Sequence, residues 1–396
     1  MKSILKNVIF NLEFALIGTV TFFLRKNDKS KKQLVIVQLD AIGDYIIFTD
    51  ILKRFRKYYS FTEWNIILVG EASWENLIEI KVGNKDSWVD KFISIASNDL
   101  RIGNYLNRLR HLLYLKKIDA DLLLNPNLAR TENMDLVVRY IGAKEKIGFE
   151  RGYRINGSSK YKNRNNHYYT KLFPKVSENK HELTAYRVFI NNLGGKLATS
   201  FEPKLIYTAQ DSEIVKDLIG NTEEYFVFSP YAGHPLKSWP SKKFQKIAKW
   251  LLKEYEGQVF FTGSSDQAGL IEEVFVAGLK LSPKNNLAGK LSLRQMVYLI
   301  KNSKIVISND SMAAHMAIAM KAKLICLLAG IVPLGKFFPY PNQDPNFTRV
   351  VYNRHLDCFG CYHKCIFDVS FGQPGPCVAD LSTKVVKSHI IDLLEI

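Results

Sequence analysis

The chain has 396 residues, 47% of them hydrophobic and 23% charged, which is length enough for two domains with proper cores and too apolar for a disordered polypeptide. Lys and Arg total 55 against 38 acidic residues, and the net charge of +17 favours an anionic partner such as a phosphorylated glycolipid or a bilayer surface. The basic residues are spread along the chain without an RNA-binding fingerprint, zinc-finger spacing or helix-turn-helix signal, which argues against nucleic acid. The absence of a Walker phosphate loop and of GxGxxG after a strand argues against an NTPase or a dinucleotide-dependent dehydrogenase.

Residues 1–32 read as a separate N-terminal segment. Ile4, Val8, Leu12, Ala15, Leu16, Val20 and Phe23 make a helical apolar stripe, flanked by Lys2, Lys6, Arg25, Lys26, Lys29, Lys31 and Lys32. Lys6, Asn7, Asn11 and Glu13 interrupt it, and a central acidic residue costs about 2.5 to 3.5 kcal/mol on insertion. An amphipathic helix lying on a membrane surface fits better than a span, with a helix packed on the protein itself as the alternative. No small-residue cleavage site of the A-x-A kind follows, which argues against a secretory signal peptide.

The first domain is placed at 33–207. Gln33 to Val37 is a continuous apolar strand signal, followed by LDAIGDYIIFTD (Leu39 to Asp50) and a basic helix expected over Ile51 to Tyr59. Gly43 permits a tight turn or a close backbone approach. Asp44 follows directly at the helix entrance, where a carboxylate serves as a cap or as a general base. Trp64 to Val69 and Ala120 to Leu124 are further strand candidates between helical patterns. Asn156 to Tyr169 is polar, basic and aromatic, which suits either a solvated loop or one that touches an anionic sugar acceptor.

The second domain is placed at 208–379, after a linker beginning near Glu202. It repeats a strand, a loop and a helix three times. Tyr225 to Phe228 leads through SPYAGHPLKSWP (Ser229 to Pro240) into a helix with Phe244, Ile247, Ala248, Leu251 and Leu252 on one face. Lys237 in that loop can act as a point charge on a phosphate, while Trp239 reads as a packing residue. Gln258 to Gln267 bends at Gly263. Lys304 to Ser308 is a β-branched strand, and Asn309, Asp310 and Ser311 supply N-cap chemistry to the apolar helix Met312 to Met320. Free N–H groups at that helix start favour a phosphate, and His315, four residues beyond Ser311, can add a hydrogen bond. The same residues also suit an ordinary capped turn. Repeated crossings of this kind imply a parallel sheet with ligands at its carboxyl edge. Residues 380–396 hold a last helix, Thr383 to Leu394, expected to return to the first domain.

Four of the five cysteines, Cys358, Cys361, Cys365 and Cys377, lie in one stretch, and Cys326 sits in an apolar strand. The Cys-x-x-Cys spacing with two more thiols, and with His355 and His363 nearby, suits a structural tetrahedral zinc or a set of reduced packing thiols; no catalytic metal is read here.

In order along the chain, LDAIGDYIIFTD, KIGFER (Lys146 to Arg151), HELTAYRVFINNLG (His181 to Gly194), the Lys237–Pro240 element, the Gly263 turn, LAGKLSL (Leu287 to Leu293) and NDSMAAHMAIAM (Asn309 to Met320) resemble glycosyltransferase family 9, the lipopolysaccharide heptosyltransferase type. The resemblance spans Gln33 to about Val386. It implies an α/β GT-B fold of two Rossmann-like parallel-sheet domains with an interdomain cleft. It further implies inverting transfer of a sugar, most simply heptose from ADP-heptose, to a lipopolysaccharide core or related anionic glycolipid, with no cofactor required. Another nucleotide sugar, or a catalytically silent glycolipid-binding role, is the alternative.

Residue by residue, the resemblance makes Asp44 the general base, with Gly43 and Arg130 on the acceptor side. Lys237, Asp310, Ser311, Met312, Ala313 and His315 would hold the donor and its phosphates, and Gly263, Asp266, Leu287 and Gly289 would lie near the nucleoside. Three positions depart from the family pattern: Met312 replaces a usual glycine, Gln38 stands where some members carry a basic residue, and Asp50 stands where proline is common. The implied location is the cytoplasmic face of the bacterial inner membrane.

Overall fold

A computed structural model describes residues 30–80, 87–101, 103–150, 165–177, 180–195, 203–220, 222–341 and 343–395. The expected helix within 1–29 and most of the 156–169 loop lie outside the described residues. The chain divides into two compact units, the first within 1–177 and 183–198, the second within 178–182 and 199–396.

The first unit carries six strands: β1 (Lys32–Gln38), β2 (Trp64–Glu71), β3 (Lys91–Ile95), β4 (Asp119–Asn125), β5 (Gly142–Phe149) and β6 (Lys171–Phe173). They form one parallel sheet in the order β3-β2-β1-β4-β5-β6. Leu34, Val35, Ile36 and Val37 of β1 are all fully buried, as befits a central strand with both faces covered. Helices α1 (Ile42–Tyr58), α2 (Tyr105–Lys116), α3 (Glu132–Tyr140) and α4 (Glu182–Asn192) are interleaved with the strands. Two boundaries differ from the sequence expectation. The first strand begins at Lys32, whose N–H bonds to Glu63 O at 2.9 Å. Helix α1 starts at Ile42 rather than Ile51, because Tyr45, Ile46, Ile47, Phe48, Ile51, Leu52 and Phe55 continue one buried helical pattern through the whole stretch.

The second unit begins with α5 (Ala209–Ile219), whose start is fixed by a reciprocal cap: Thr208 N–H bonds to Asp211 Oδ2 at 2.8 Å and Asp211 N–H to Thr208 Oγ1 at 3.1 Å. Strands β7 (Tyr225–Ser229), β8 (Gln258–Phe261), β9 (Ile305–Asn309), β10 (Leu324–Leu327) and β11 (Thr348–Val351) form a second parallel sheet in the order β11-β10-β9-β7-β8. Its covering helices include α6 (Ser241–Glu254), α7 (Leu293–Lys301) and α8 (Met312–Ala319). Phe244, Ile247, Ala248 and Leu251 of α6 enter the core with Phe226, Phe228 and Phe261, while Leu252 lies at the exposed margin. The terminal helix α9 (Thr383–Leu394) belongs to this second unit and not to the first. Val386, Ile390 and Leu393 join the second core, and the helix packs on α6, β10 and β11. No helix among the described residues is long and apolar enough to cross a membrane.

Candidate active site

In the second sheet β7 leads one way to β8 and β9 leads the other way to β10, so the strand order reverses between β7 and β9. Open α/β sheets bind ligands outside the carboxyl ends of the strands at such a reversal. The two loops that leave this point are the Lys237 loop after β7 and the Asp310–Ser311 turn after β9. Asn309, fully buried at the end of β9, ties them together: its Oδ1 accepts the Trp239 N–H at 2.9 Å and its Nδ2 donates to Pro230 O at 2.7 Å. Trp239 is buried and its Nε1 donates to Leu381 O at 3.0 Å, so it packs, as read. With the loop held at both ends, Lys237 Nζ reaches Asp310 Oδ2 at 2.6 Å.

Ser311 occupies the N-cap position of α8, yet its side chain makes no cap. The Ser308 hydroxyl donates to Asn309 O at 2.8 Å and lies 2.9 Å from Ser311 Oγ, which therefore donates back toward the strand. The capping role expected of Asn309 and Ser311 is thus replaced by loop bracing and a serine pair. The N–H groups of Met312 and Ala313, in the first turn, have no acceptor inside the helix and receive none from Ser311. His315, one turn in, is buried against Phe338 and Tyr340, with Nδ1 2.7 Å from the Tyr340 hydroxyl. Burial pushes its pKa down to about 4, with Asp310 pulling it up and Lys237 pushing it down. His315 is therefore neutral near pH 7 and can offer a hydrogen bond but no charge; Lys237 is the cation at this point.

The residues expected near a nucleoside also come together. Leu287 N–H bonds to Phe261 O at 2.8 Å, and Gly289 N–H bonds to Gly263 O at 3.0 Å, so the 287–289 stretch lies along the exit of β8. Gly289 has φ +71°, and a Cβ there would stand 2.7 Å from Ser265 Cα, so glycine is required by conformation and by space. Asp266 follows in the short turn Ser265–Gln267 and accepts the Ser265 hydroxyl at 3.2 Å.

In the first sheet the order reverses between β1 and β4. The N-cap of α1 is Ala41 without a side-chain bond, Gly43 is the second helical residue and Asp44 the third. Asp44 is thus not the cap; its half-buried carboxylate lies in the first turn at the positive end of the helix dipole. Arg130, expected to face an acceptor, is turned inward. Its side chain has no exposed surface: Nε bonds to Asp135 Oδ1 at 3.0 Å, Nη1 to Phe149 O at 2.6 Å, and the guanidinium lies 4.2 Å from the Tyr169 ring centre. A buried guanidinium must satisfy its donors internally, and here the carboxylate of α3 and the carbonyl of β5 do so.

Comparison with known proteins agrees with this architecture. Residues 109–360 match glycosyltransferase family 9 (heptosyltransferase). The chain belongs to this family. A lipopolysaccharide core heptosyltransferase, OpsX, from Haemophilus influenzae is 27% identical over 320 residues, which is 80% of this chain and 84% of that protein. Two solved structures share the fold: a family 9 glycosyltransferase from Veillonella parvula (TM-score 0.69, 20% identity, 92% of this chain and 98% of that one) and the Escherichia coli ADP-heptose lipopolysaccharide heptosyltransferase II (TM-score 0.66, 18% identity, the same coverage). The chain is accordingly a glycosyltransferase of GT-B architecture.

Three features of this family 9 protein were not legible beforehand. Asn309 stood inside a recognised motif, but its reach to the Lys237 loop depends on strand adjacency. Tyr340, the partner of His315, is 25 residues downstream with no motif around it. The third is the approach of the cysteine segment to the Lys237 loop, where the His363 and His234 ring centres are 4.4 Å apart. The cysteines themselves are free thiols: Cys377 is buried and accepts the Gly330 N–H at 3.3 Å, and the other three are half-buried. Among the described residues no set of three or more His, Cys, Asp or Glu side chains is disposed to hold a metal ion, so the zinc expectation gains no support.

Proposed function

We propose that this family 9 protein is an inverting, metal-independent transferase that moves heptose from ADP-heptose to a hydroxyl of a lipopolysaccharide core or related glycolipid. The observation that carries the reading is the Lys237–Asp310 pair at the β7/β9 reversal beside the start of α8, where a cation and helix N–H groups suit a diphosphate. The names of the Haemophilus and Escherichia relatives supply the sugar and acceptor classes.

In this mechanism the acceptor oxygen attacks the anomeric carbon as the bond to the diphosphate oxygen breaks, and the hydroxyl proton passes to Asp44. A single displacement inverts the anomeric centre. Lys237 and the N–H groups of Ser311, Met312 and Ala313 offset the charge that builds on the leaving diphosphate, with His315 as a neutral hydrogen-bonding partner. Asp310 binds donor-sugar hydroxyls, Gly263, Asp266, Leu287 and Gly289 border the nucleoside, and Gly43 lies toward the acceptor.

Incubation with ADP-heptose, other nucleotide sugars and a heptose-deficient glycolipid, followed by mass measurement of the glycolipid, tests the reading. A gain of one heptose from ADP-heptose is expected. Transfer from a different nucleotide sugar would change the donor, and none from any would return the protein to a binding role. We further propose that the protein works at the cytoplasmic face of the inner membrane, with the basic, apolar residues 1–29 on anionic lipid. Deleting them, while keeping Lys31 with its 2.6 Å bond to Phe61 O, should reduce sedimentation with anionic vesicles and spare activity on a soluble acceptor. Aggregation of the shortened chain would mean that the segment packs on the protein.

A further inference from the structure

The segment 358–377 takes no part in the donor reading, and its hydrogen bonds define where it is held. Gly360 N–H bonds to Gly330 O at 2.9 Å and Tyr362 N–H to Ile331 O at 2.8 Å, which ties one end to the turn after β10. At the other end Gly375 N–H bonds to Leu236 O at 3.2 Å, one residue before Lys237. The segment is therefore strapped to the phosphate loop itself.

Between these ties Tyr362 and His363 have φ of 48° and 67°, a left-handed conformation that non-glycine residues seldom adopt and that persists only where the surroundings impose it. Its consequence is the placement of the His363 ring on His234, with centres 4.4 Å apart and planes inclined by 51°. His234 Nδ1 accepts the Leu236 N–H at 3.2 Å, which leaves the ring proton on Nε2 as a donor. The His363 pKa is held down first by partial burial, then by the nearby charges of His234 and Lys237. Two imidazoles and an ammonium thus gather beside one another, and among the described residues the carboxylate paired there is Asp310, already bound to Lys237. Groups that repel one another when protonated are brought together where an anion can offset them.

We propose that His234 and His363, with Lys237, form a phosphate subsite, so that the cysteine segment serves to deliver His363 to the Lys237 loop. This rests on the donor reading above. The phosphate comes either from the donor's diphosphate or from the acceptor, and the two sources separate experimentally.

Full-length His363→Ala, His363→Gln, His234→Ala and Lys237→Ala proteins are titrated calorimetrically with ADP, and then with inorganic phosphate after saturation with ADP. A donor-phosphate subsite predicts an ADP Kd about tenfold higher in His363→Ala, partly restored in His363→Gln, which keeps an N–H donor. Because His363 is exposed, its melting temperature should match the parent; a shift would transfer the comparison to His363→Gln. Unchanged ADP affinity with lost phosphate binding would keep the subsite and assign it to the acceptor. Both titrations within twofold of the parent in both alanine variants at His363 and His234 overturn the subsite. If Lys237→Ala alone then loses ADP affinity, the donor reading survives; if it does not, that reading falls too.

Discussion

Lys237 Nζ and Asp310 Oδ2 are 2.6 Å apart, on loops that leave neighbouring strands in opposite directions through the sheet. The Asp310 side chain is almost fully buried, at 5% exposure, and the Lys237 side chain is 23% exposed. The pair is therefore lopsided. Asp310 depends on Lys237 for its charge balance, while Lys237 retains an open side from which to meet a second anion.

Lys237→Ala should weaken ADP binding by about 10- to 150-fold, the range for a lost charge-assisted contact of roughly 1.5 to 3 kcal/mol. It should also lower the melting temperature, because Asp310 loses its cation in a buried position. Combining Lys237→Met with Asp310→Asn should restore the melting temperature without restoring ADP affinity. Parallel recovery of both properties would mean that the lysine acts only by supporting the loop. With Lys237 in place, transfer should persist in EDTA; activity lost and then restored specifically by magnesium or manganese would require a metal-assisted leaving group.

Asp44→Asn should leave ADP affinity intact and lower turnover by about two to four orders of magnitude, the usual contribution of a general base. Since Asp44 is the third residue of α1 and not its cap, the structural cost is confined to the helix dipole, about 0.3 to 1 kcal/mol. Near-normal turnover in this variant would reduce the carboxylate to that dipole role.

The sequence carried the parallel sheets because their central strands are continuous apolar runs: LVIV in β1, FVF in β7 and IVI in β9 are buried on both faces and need no partner to be recognised. Strands β6, three residues long, and β11, half-buried, gave no such signal, since their pairing is set by neighbours distant in the chain. Lys237 and Asp310 were legible separately, each in a loop after a strand. Their contact was not, because it follows from β7 and β9 being adjacent although 80 residues of sequence separate them from Tyr225 to Ile305. Arg130 was misplaced for a related reason. A lone arginine after a strand looks available until Asp135, Phe149 and Tyr169 are brought around it by the fold.

Arg130→Ala should destabilise the first unit by roughly 3 to 5 kcal/mol, the cost of leaving a buried carboxylate unpaired, here Asp135. Chemical unfolding would report it directly. An acceptor-binding role predicts the opposite pattern, with unchanged stability and a raised KM for the acceptor, and that result would move Arg130 back to the substrate.

His315 should make stability fall in mild acid. Its ordinary pKa of 6.5 drops to about 4 in the folded protein because burial disfavours the imidazolium. Between these values the unfolded chain binds more protons than the folded one, so each step down in pH favours unfolding, and the contribution is complete only above about pH 6.5. The drop from 6.5 to about 4 corresponds to about 3 kcal/mol, of which about 2 to 3 should be lost by pH 4.5. Carboxylates titrate over part of this range as well, so the informative quantity is a difference between proteins. Urea unfolding at pH 7.5 and pH 4.5 should show the loss in the parent, and His315→Gln, which cannot titrate, should lose less by that amount. Equal losses in the two proteins would mean that the ring takes up its proton without leaving the Phe338 and Tyr340 cluster, and that its burial is not what keeps it neutral.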